Sequence, residues 1–522
     1  MRKSFNITGT CFPDYHYMMD TTAQMARVMD LIEFGAYFTI NRPRQFGKTT
    51  TMQTLNDQLL NSEEYLPIKI SFENVGDSQF KDEVSISQNF LVKLATAAGE
   101  ASEDLEQFIK KLIPTVHDLE DLSTAISTII KQVNKKVVLM IDEVDASSHN
   151  PMFLKFLGAL RDKYLNRLSK RNPTFQSVIL AGVHDIKTLK IKMRSAGKRE
   201  YNSPWNIAAD FKVRMSFIPS EIVPMLEAYC QEEEVVMDLP AIAERLYYHT
   251  AGYPFLVSKL CKTIAEDILP QRVDKKWTLE DVEASVRLLL KENNTNFDSL
   301  IKNLENNSEL YALVKRIIIE GEKITFNPDE PVMHFGRLYG MLKNNGVEVL
   351  KIHNRIYEQR IYNYMTAKAT VQLSKNQNYA GHFVLDNNEL DIKAVLLKFQ
   401  QTMKEQYSEK NKDFLEAHGR VLFLAFLSPI LNGHGYSFKE VQVSLEKRLD
   451  VVITFLQHRY IIELKKWYGT KAHEKGLDQL ADYLDIHNLQ EGWLLIFDDR
   501  KKKIETAKSI KHKGKAIFAV WV

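Results

Sequence analysis

Asn41-Arg42-Pro43-Arg44-Gln45-Phe46-Gly47-Lys48-Thr49-Thr50 follows an apolar run over residues 36–41 and leads into residues 47–60, whose apolar side chains recur at helical spacing. A strand that hands over to a helix through Gly-Lys-Thr has the parts of a phosphate-binding loop. Gly47 lets the backbone approach a phosphate, Lys48 reaches the β- and γ-phosphates, and the Thr49 hydroxyl is a magnesium ligand. The free N–H groups at the helix start, Thr50 included, face an anion, and Arg44 adds a cation on the loop. Arg42 stands where the usual Walker A pattern has its first glycine, so the loop departs from that pattern at its start.

A short motif gains weight from a second element. Val137-Val138-Leu139-Met140-Ile141-Asp142-Glu143 is an apolar strand ending in two carboxylates, the layout of a Walker B strand. Asp142 would hold Mg²⁺ and Glu143 would polarise the attacking water, since phosphoryl transfer depends mostly on positioning and charge stabilisation. The plainer alternative is a buried strand ended by solvated acids. Residues 177–181 form a third strand, after which His184 or Asp185 is a candidate γ-phosphate sensor, against the plainer role of a loop residue. Arg161 and Arg194 are arginine-finger candidates, against the commoner role of a surface arginine. Strands at 36–41, 67–72, 137–141 and 177–181 alternate with helices at 47–60, 85–98, 119–133 and 153–168, which predicts an α/β domain with a parallel sheet over residues 1–215.

The chain has 522 residues, enough for several domains rather than one core. With 44% hydrophobic and 26% charged residues and only 21 Gly and 15 Pro, collagen-like and mostly disordered classes are excluded. A formal charge of +2 gives no global field for a polyanion, so any nucleic-acid surface must be local. Cys11, Cys230 and Cys261 are too few and too scattered for a disulfide framework or a zinc cluster. The longest apolar run, residues 421–431, is far short of a bilayer span, and no secretory leader is evident; a cytoplasmic protein without membrane insertion is expected. No repeat of 20 to 50 residues points to a solenoid.

Beyond residue 215 the strand signals fade. Residues 216–295 read as a helical lid, with helices at 222–232, 241–249 and 254–268 and a break at Ala251-Gly252-Tyr253-Pro254. Residues 296–370 read as a winged-helix unit, with helices at 308–320, 332–345 and 356–367 and a short strand at 349–354. Polar residues 371–390 read as a linker, and residues 391–522 as a second α/β domain.

The Arg42-Pro43-Arg44-Gln45-Phe46-Gly47-Lys48-Thr49 loop, the upstream segment 14–20 and Ile141-Asp142-Glu143-Val144-Asp145 together resemble an AAA-ATPase-like family whose members often carry a C-terminal nuclease domain. The resemblance covers residues 5–370 and implies a STAND-like or AAA-like P-loop ATPase with a helical lid and a winged-helix unit. It makes Arg42 a family variant.

In the last domain Arg448-Leu449-Asp450-Val451-Val452-Ile453-Thr454-Phe455 and Tyr460-Ile461-Ile462-Glu463-Leu464-Lys465 are joined by a short turn. In such a hairpin Asp450 and Glu463 share one end of the sheet, and alternation puts Glu463 and Lys465 on one face. Two carboxylates suit Mg²⁺, with Mn²⁺ as an alternative, and Lys465 is placed to orient or deprotonate a water. This layout is similar to the PD-(D/E)XK nuclease core, which implies Glu416 on a preceding helix and Gln479 and Tyr483 on a following one as further site residues. Leu449 replaces the usual proline. Residues 500–515, with one acid among many Lys and Arg, read as a solvated loop or a phosphate contact, and Arg337, Lys343, Lys351 and Arg355 admit the same pair of readings.

The expectation is therefore an ATP- and Mg²⁺-binding P-loop ATPase fused to a metal-dependent nuclease. Nucleic acid is the expected partner, DNA before RNA, in a chain that can oligomerise. The alternative is an ATP-switched scaffold whose nuclease-like domain only binds.

Overall fold

Residues 136–142, Lys-Val-Val-Leu-Met-Ile-Asp, have no polar side chain between their ends, and the strand they form is buried along its length except at Lys136. That is the composition of a central strand in a parallel sheet covered on both faces. The computed structural model describes residues 2–73, 76–144, 150–167, 172–183, 205, 207–209, 211–319, 322–344, 349–372, 383–385, 387, 389–406, 419, 422–424, 426–427, 430–431, 435–438, 442–444, 447–448, 451–455, 458–467, 469–498 and 507–522. They fall into two compact units, one of residues 1–311 and 325–358, the other of 312–324 and 359–522.

In the first unit, strands β1 (Phe38–Asn41), β2 (Tyr65–Ser71), β3 (Lys136–Asp142) and β4 (Ser177–Gly182) run parallel in the order β1-β4-β3-β2. A parallel bridge from Phe38 to Ala209 extends the sheet beyond β1. Helices α1 (Thr22–Glu33), α2 (Lys48–Leu60), α3 (Glu83–Gly99), α4 (Glu103–Leu112), α5 (Leu119–Gln132) and α6 (Pro151–Asn166) connect the strands. Asp82, Ser102, Asp118 and Asn150 begin α3 to α6 by accepting backbone N–H bonds that the first turn would otherwise leave unmet. The sequence pattern located all four strands and α2, α3, α5 and α6 but not α1 or α4.

A helical segment follows: α7 (Pro219–Glu233), α8 (Leu239–Thr250), α9 (Pro254–Thr263), α10 (Leu279–Lys291) and α11 (Thr295–Glu305). The expected break falls between α8 and α9, where Ala251 takes a left-handed φ of 49° and its N–H closes on Tyr247 O at 2.7 Å. Next come α12 (Ser308–Ile318), α13 (Pro331–Leu338), β5 (Leu342–Asn344), β6 (Leu350–Ile352) and α14 (Arg355–Gln372). The helix expected over 332–345 ends early. Gly340 has φ 68°, Met341 N–H bonds to Gly336 O, and Leu342–Asn344 becomes a strand antiparallel to Leu350–Ile352. Pairing with a partner a few residues away outweighs the helical pattern of the segment.

The second unit holds α15 (Ile392–Gln406), β7 (Gly435–Phe438), β8 (Gln442–Ser444), β9 (Lys447–Arg448), β10 (Val451–Phe455), β11 (His458–Lys466), α16 (Thr470–Ile486), β12 (Glu491–Phe497), β13 (Ala507–His512) and β14 (Lys515–Trp521). The main sheet has the order β13-β14-β12-β11-β10-β7, parallel across β11, β12 and β14 and antiparallel at both edges. Strand β8 pairs with β9 in a separate ribbon. Part of the basic run read as a loop is the edge strand β13, whose Lys508 is exposed. Among the described residues no helix is long and apolar enough to cross a membrane.

Candidate nucleotide-binding site

The phosphate-loop residues sit at the carboxyl end of β1, where α2 begins at Lys48 with Gly47 at φ 83°, a left-handed conformation that favours glycine. Gln45 is also left-handed, at φ 56°. A non-glycine residue there stores about 1–3 kcal/mol of strain, a cost that persists where packing enforces it. Lys48 is buried, and its Nζ donates to Arg42 O at 2.9 Å and Pro43 O at 3.0 Å. The ammonium is thus folded back into the loop it must cap. Thr49 and Thr50 are half-buried in the first turn of α2, and Thr50 Oγ1 accepts from Cys11 N–H at 3.1 Å, which ties the N-terminal segment to the loop.

Arg42 does something different from the glycine it replaces. Its guanidinium donates to Asn41 O at 2.8 Å and Val213 O at 2.7 Å and lies over the Phe211 ring, 5.3 Å from its centre. Burial, with a smaller contribution from the charge of Arg337, brings its pKa down to about 10. It fastens the loop to residues 211–213. Arg44 is exposed; its carbonyl accepts from the Tyr253 hydroxyl at 2.6 Å.

Asp142 closes β3 and is buried; Glu143 follows with a left-handed φ of 56° and its N–H bonded to Asp142 Oδ1 at 2.9 Å. Because β4 lies between β1 and β3, the loop and the two carboxylates stand two strands apart on the same sheet edge, at the carboxyl ends where α/β sheets bind ligands. Thr49 hydroxyl and Asp142 carboxylate are hard oxygen donors of the kind Mg²⁺ takes. His184, Asp185 and Arg194 lie outside the described residues. Arg161 is half-buried on α6, and among the described residues its Nε has no hydrogen-bond partner.

Three contacts on the loop were not anticipated. Phe46 is buried edge-on against Tyr253 (ring centres 4.6 Å apart) and His353 (5.8 Å). Burial, with the nearby Lys343 charge adding to it, drops His353 to a pKa of about 3, so the ring is neutral at physiological pH. Gly340 packs on Pro43 closely enough that an added Cβ would lie 2.5 Å from its Cγ. The Ala251-Gly252-Tyr253-Pro254 break was legible as a turn, but nothing local in it signals contact with a loop some two hundred residues earlier. Of the basic residues considered for nucleic acid, Arg355 lies over the Tyr248 ring (4.1 Å) and Arg337 over Phe326 (4.8 Å), and burial lowers Lys343 to about 8. Beside the loop a cavity of about 330 Å³ is lined by the N-terminal segment, α1, residues 45–47, α2, residues 211–217 and the start of α9.

In the second unit Glu463 is fully buried on β11 and Lys465 Nζ stands 2.7 Å from its Oε1. Lys465 Nζ also donates to Gln479 Oε1 at 3.2 Å, and Gln479 Nε2 donates to the Tyr483 hydroxyl at 3.2 Å. These four are brought together. Glu416, Leu449 and Asp450 lie outside the described residues, though Val451 pairs with Ile462 in the hairpin. Among the described residues no cluster of three His, Cys, Asp or Glu could hold a metal ion.

A parallel sheet of this order, a Gly-Lys-Thr loop at the start of α2 and a carboxylate-ended β3 define an α/β P-loop protein of the nucleotide-binding class. Residues 14–363 match the family described as AAA-like domain, and the chain belongs to that family. No curated protein matches it significantly. Among solved structures it is similar to a Walker-type ATPase of Pyrococcus abyssi, at 11% identity and a TM-score of 0.45, over 68% of this chain and 99% of that one. It is also similar to the ORC2 protein of Aeropyrum pernix (10% identity, TM-score 0.33, 66% and 93% covered). A third is the Holliday junction branch migration motor RuvB of Thermotoga maritima (13% identity, TM-score 0.32, 65% and 94% covered).

Proposed function

We propose that the chain binds ATP with Mg²⁺ and hydrolyses it, using Gly47, Lys48, Thr49 and Thr50 for the phosphates and Asp142 and Glu143 for the metal and the water. The observation that carries this is the pairing of a buried Lys48, held by two backbone carbonyls, with Asp142 and Glu143 at the same sheet edge. Lys48 would exchange its bonds to Arg42 O and Pro43 O for phosphate oxygens. The N–H groups opening α2 hold the phosphate charge, and Asp142 and Thr49 hold the ion. When bound, Mg²⁺ neutralises charge on the β- and γ-oxygens. Glu143, pinned by the bond from its N–H to Asp142, orients the attacking water. Calorimetric titration of ATP with Mg²⁺ into wild type and Lys48→Ala tests the reading; equal binding by the two refutes it.

The second unit supports a further reading, a metal-dependent phosphodiesterase acting on nucleic acid, DNA before RNA. The buried Glu463 beside Lys465, with Gln479 and Tyr483 behind, motivates it. Asp450 and Glu463 would hold Mg²⁺ or Mn²⁺, and Lys465 would hold or move the proton of the attacking water. The N-terminal ATPase would then gate cleavage. Loss of Mg²⁺- or Mn²⁺-dependent cleavage in Asp450→Ala, with ATP turnover kept, is expected; a wild type that cleaves no DNA or RNA with or without ATP favours a scaffold that only binds.

A further inference from the structure

The cavity beside the phosphate loop contains a group that phosphate binding leaves unexplained. Gln24, on α1, lines it and is only 7% exposed; among the described residues neither its Oε1 nor its Nε2 has a hydrogen-bond partner, and both atoms are covered. A buried polar group left unmet costs about 1–3 kcal/mol, and this side chain carries two. A helix that served only to pack would do better with leucine or methionine at this position. Met25, Val28, Phe211 and Phe255 give the same cavity apolar surface, while Gly47 and Thr50 set it against the start of α2.

We propose that Gln24 reads the base of the bound nucleotide and selects adenine. The inference rests on the phosphate-loop reading above, which brings the triphosphate to Gly47 and leaves the base within reach of this cavity. Adenine carries its 6-amino donor beside a ring-nitrogen acceptor, and a carboxamide offers an acceptor beside a donor. This is the bidentate match that Asn and Gln make with adenine in nucleic acids. Guanine presents two acceptors on its N7 edge, one of which would meet Oε1. On its other edge the amide can reverse, but the 2-amino donor must then find its own partner. Both amide atoms are covered, so pairing with a base takes a rotamer change that turns the side chain into the cavity. Phe211, Phe255 and Met25 supply the flat and polarizable surface a purine ring packs on.

The test is calorimetry on the full chain with four probes: ATP, GTP, purine riboside triphosphate, which lacks the 6-amino group, and tripolyphosphate, which lacks the base. Wild type is expected to bind ATP roughly 5- to 150-fold tighter than GTP, the range one good bidentate pair gives, and tighter than purine riboside triphosphate. Gln24→Met, which keeps the length of the side chain, should erase both differences and bind tripolyphosphate as wild type does. Because it removes two unmet groups, it should melt no lower than wild type without nucleotide. The ratio of ATP to purine riboside triphosphate in wild type needs no variant, and a ratio of one overturns the proposal. So does a Gln24→Met protein that keeps the preference for ATP. If wild type binds all three nucleotides equally and Lys48→Ala binds none, the phosphate site stands and base reading fails. If ATP and tripolyphosphate both fail to bind wild type, the phosphate-loop reading falls and this one with it.

Discussion

Gly340→Ala should loosen the phosphate loop from a position almost three hundred residues away. The added Cβ would lie 2.5 Å from Pro43 Cγ, 2.9 Å from Pro43 Cβ and 3.6 Å from the Tyr253 ring, at a φ of 68°. The left-handed backbone alone costs a residue with a Cβ about 1–2 kcal/mol. The overlap adds about 1–3 kcal/mol, because a proline ring moves only with its backbone. Gly514→Ala is the control: it shares the left-handed conformation, at φ 77°, but its added Cβ would meet nothing within 4 Å among the described residues. Thermal unfolding should therefore show a loss of about 2–5 kcal/mol for Gly340→Ala against about 1–2 kcal/mol for Gly514→Ala. The transition to follow for Gly340 is the one that ATP raises. ATP affinity should drop at least about 5-fold in Gly340→Ala, the equivalent of 1 kcal/mol of the overlap being relieved by displacing Pro43, and stay unchanged in Gly514→Ala. Equal, small losses in both variants with intact ATP affinity would refute the idea that this turn braces the loop.

Replacing Glu143 by Gln should leave ATP affinity within about twofold and slow hydrolysis about 10²- to 10⁴-fold, the usual yield of a positioned base; a phosphate-release assay beside calorimetry separates the two effects. The Tyr253 hydroxyl donates to Arg44 O at 2.6 Å, so Tyr253→Phe should cost about 1–2 kcal/mol of stability and weaken ATP binding, measured by melting and titration. His353 gives the unfolded chain a proton acceptor at its ordinary pKa of 6.5 and the folded chain one at about 3. Below pH 6.5 the unfolded state binds more protons, so stability is full above that pH and is lost as pH falls toward 3, by about 2 kcal/mol between pH 6.5 and 5. Denaturant melts of His353→Phe across that window should show a shallower slope than wild type. Glu463→Gln should abolish any metal-dependent cleavage and leave ATP turnover unchanged, as gel assays beside phosphate release would show.

The candidate nucleotide site was legible along the chain because its parts are local: an apolar run that must be a buried strand, a Gly-Lys-Thr at the strand-to-helix turn, and another apolar run ending in Asp142 and Glu143. Periodicity located β1 to β4 for the same reason, each strand being short, apolar and bounded by polar residues. Leu342–Asn344 and Ala507–His512 escaped that reading. A three-residue strand and a lysine-rich edge strand carry little burial of their own, and their state is set by hydrogen bonds to Leu350–Ile352 and Lys515–Trp521. The sequence by itself also supplied Arg42, but as a departure from a motif; the tertiary structure decided that it clamps the loop to Val213 O. Likewise Gln24 reads as one more polar residue on a helix until folding closes the cavity around it, and Tyr253, His353 and Gly340 have no tie to the phosphate loop until packing brings them against Arg44, Phe46 and Pro43. Motif chemistry is written in residues a few positions apart, where spacing along the chain fixes spacing in space. The support of the loop and the unmet amide beside it come from residues brought together across long stretches of chain, and only the burial of the common core determines which of them meet.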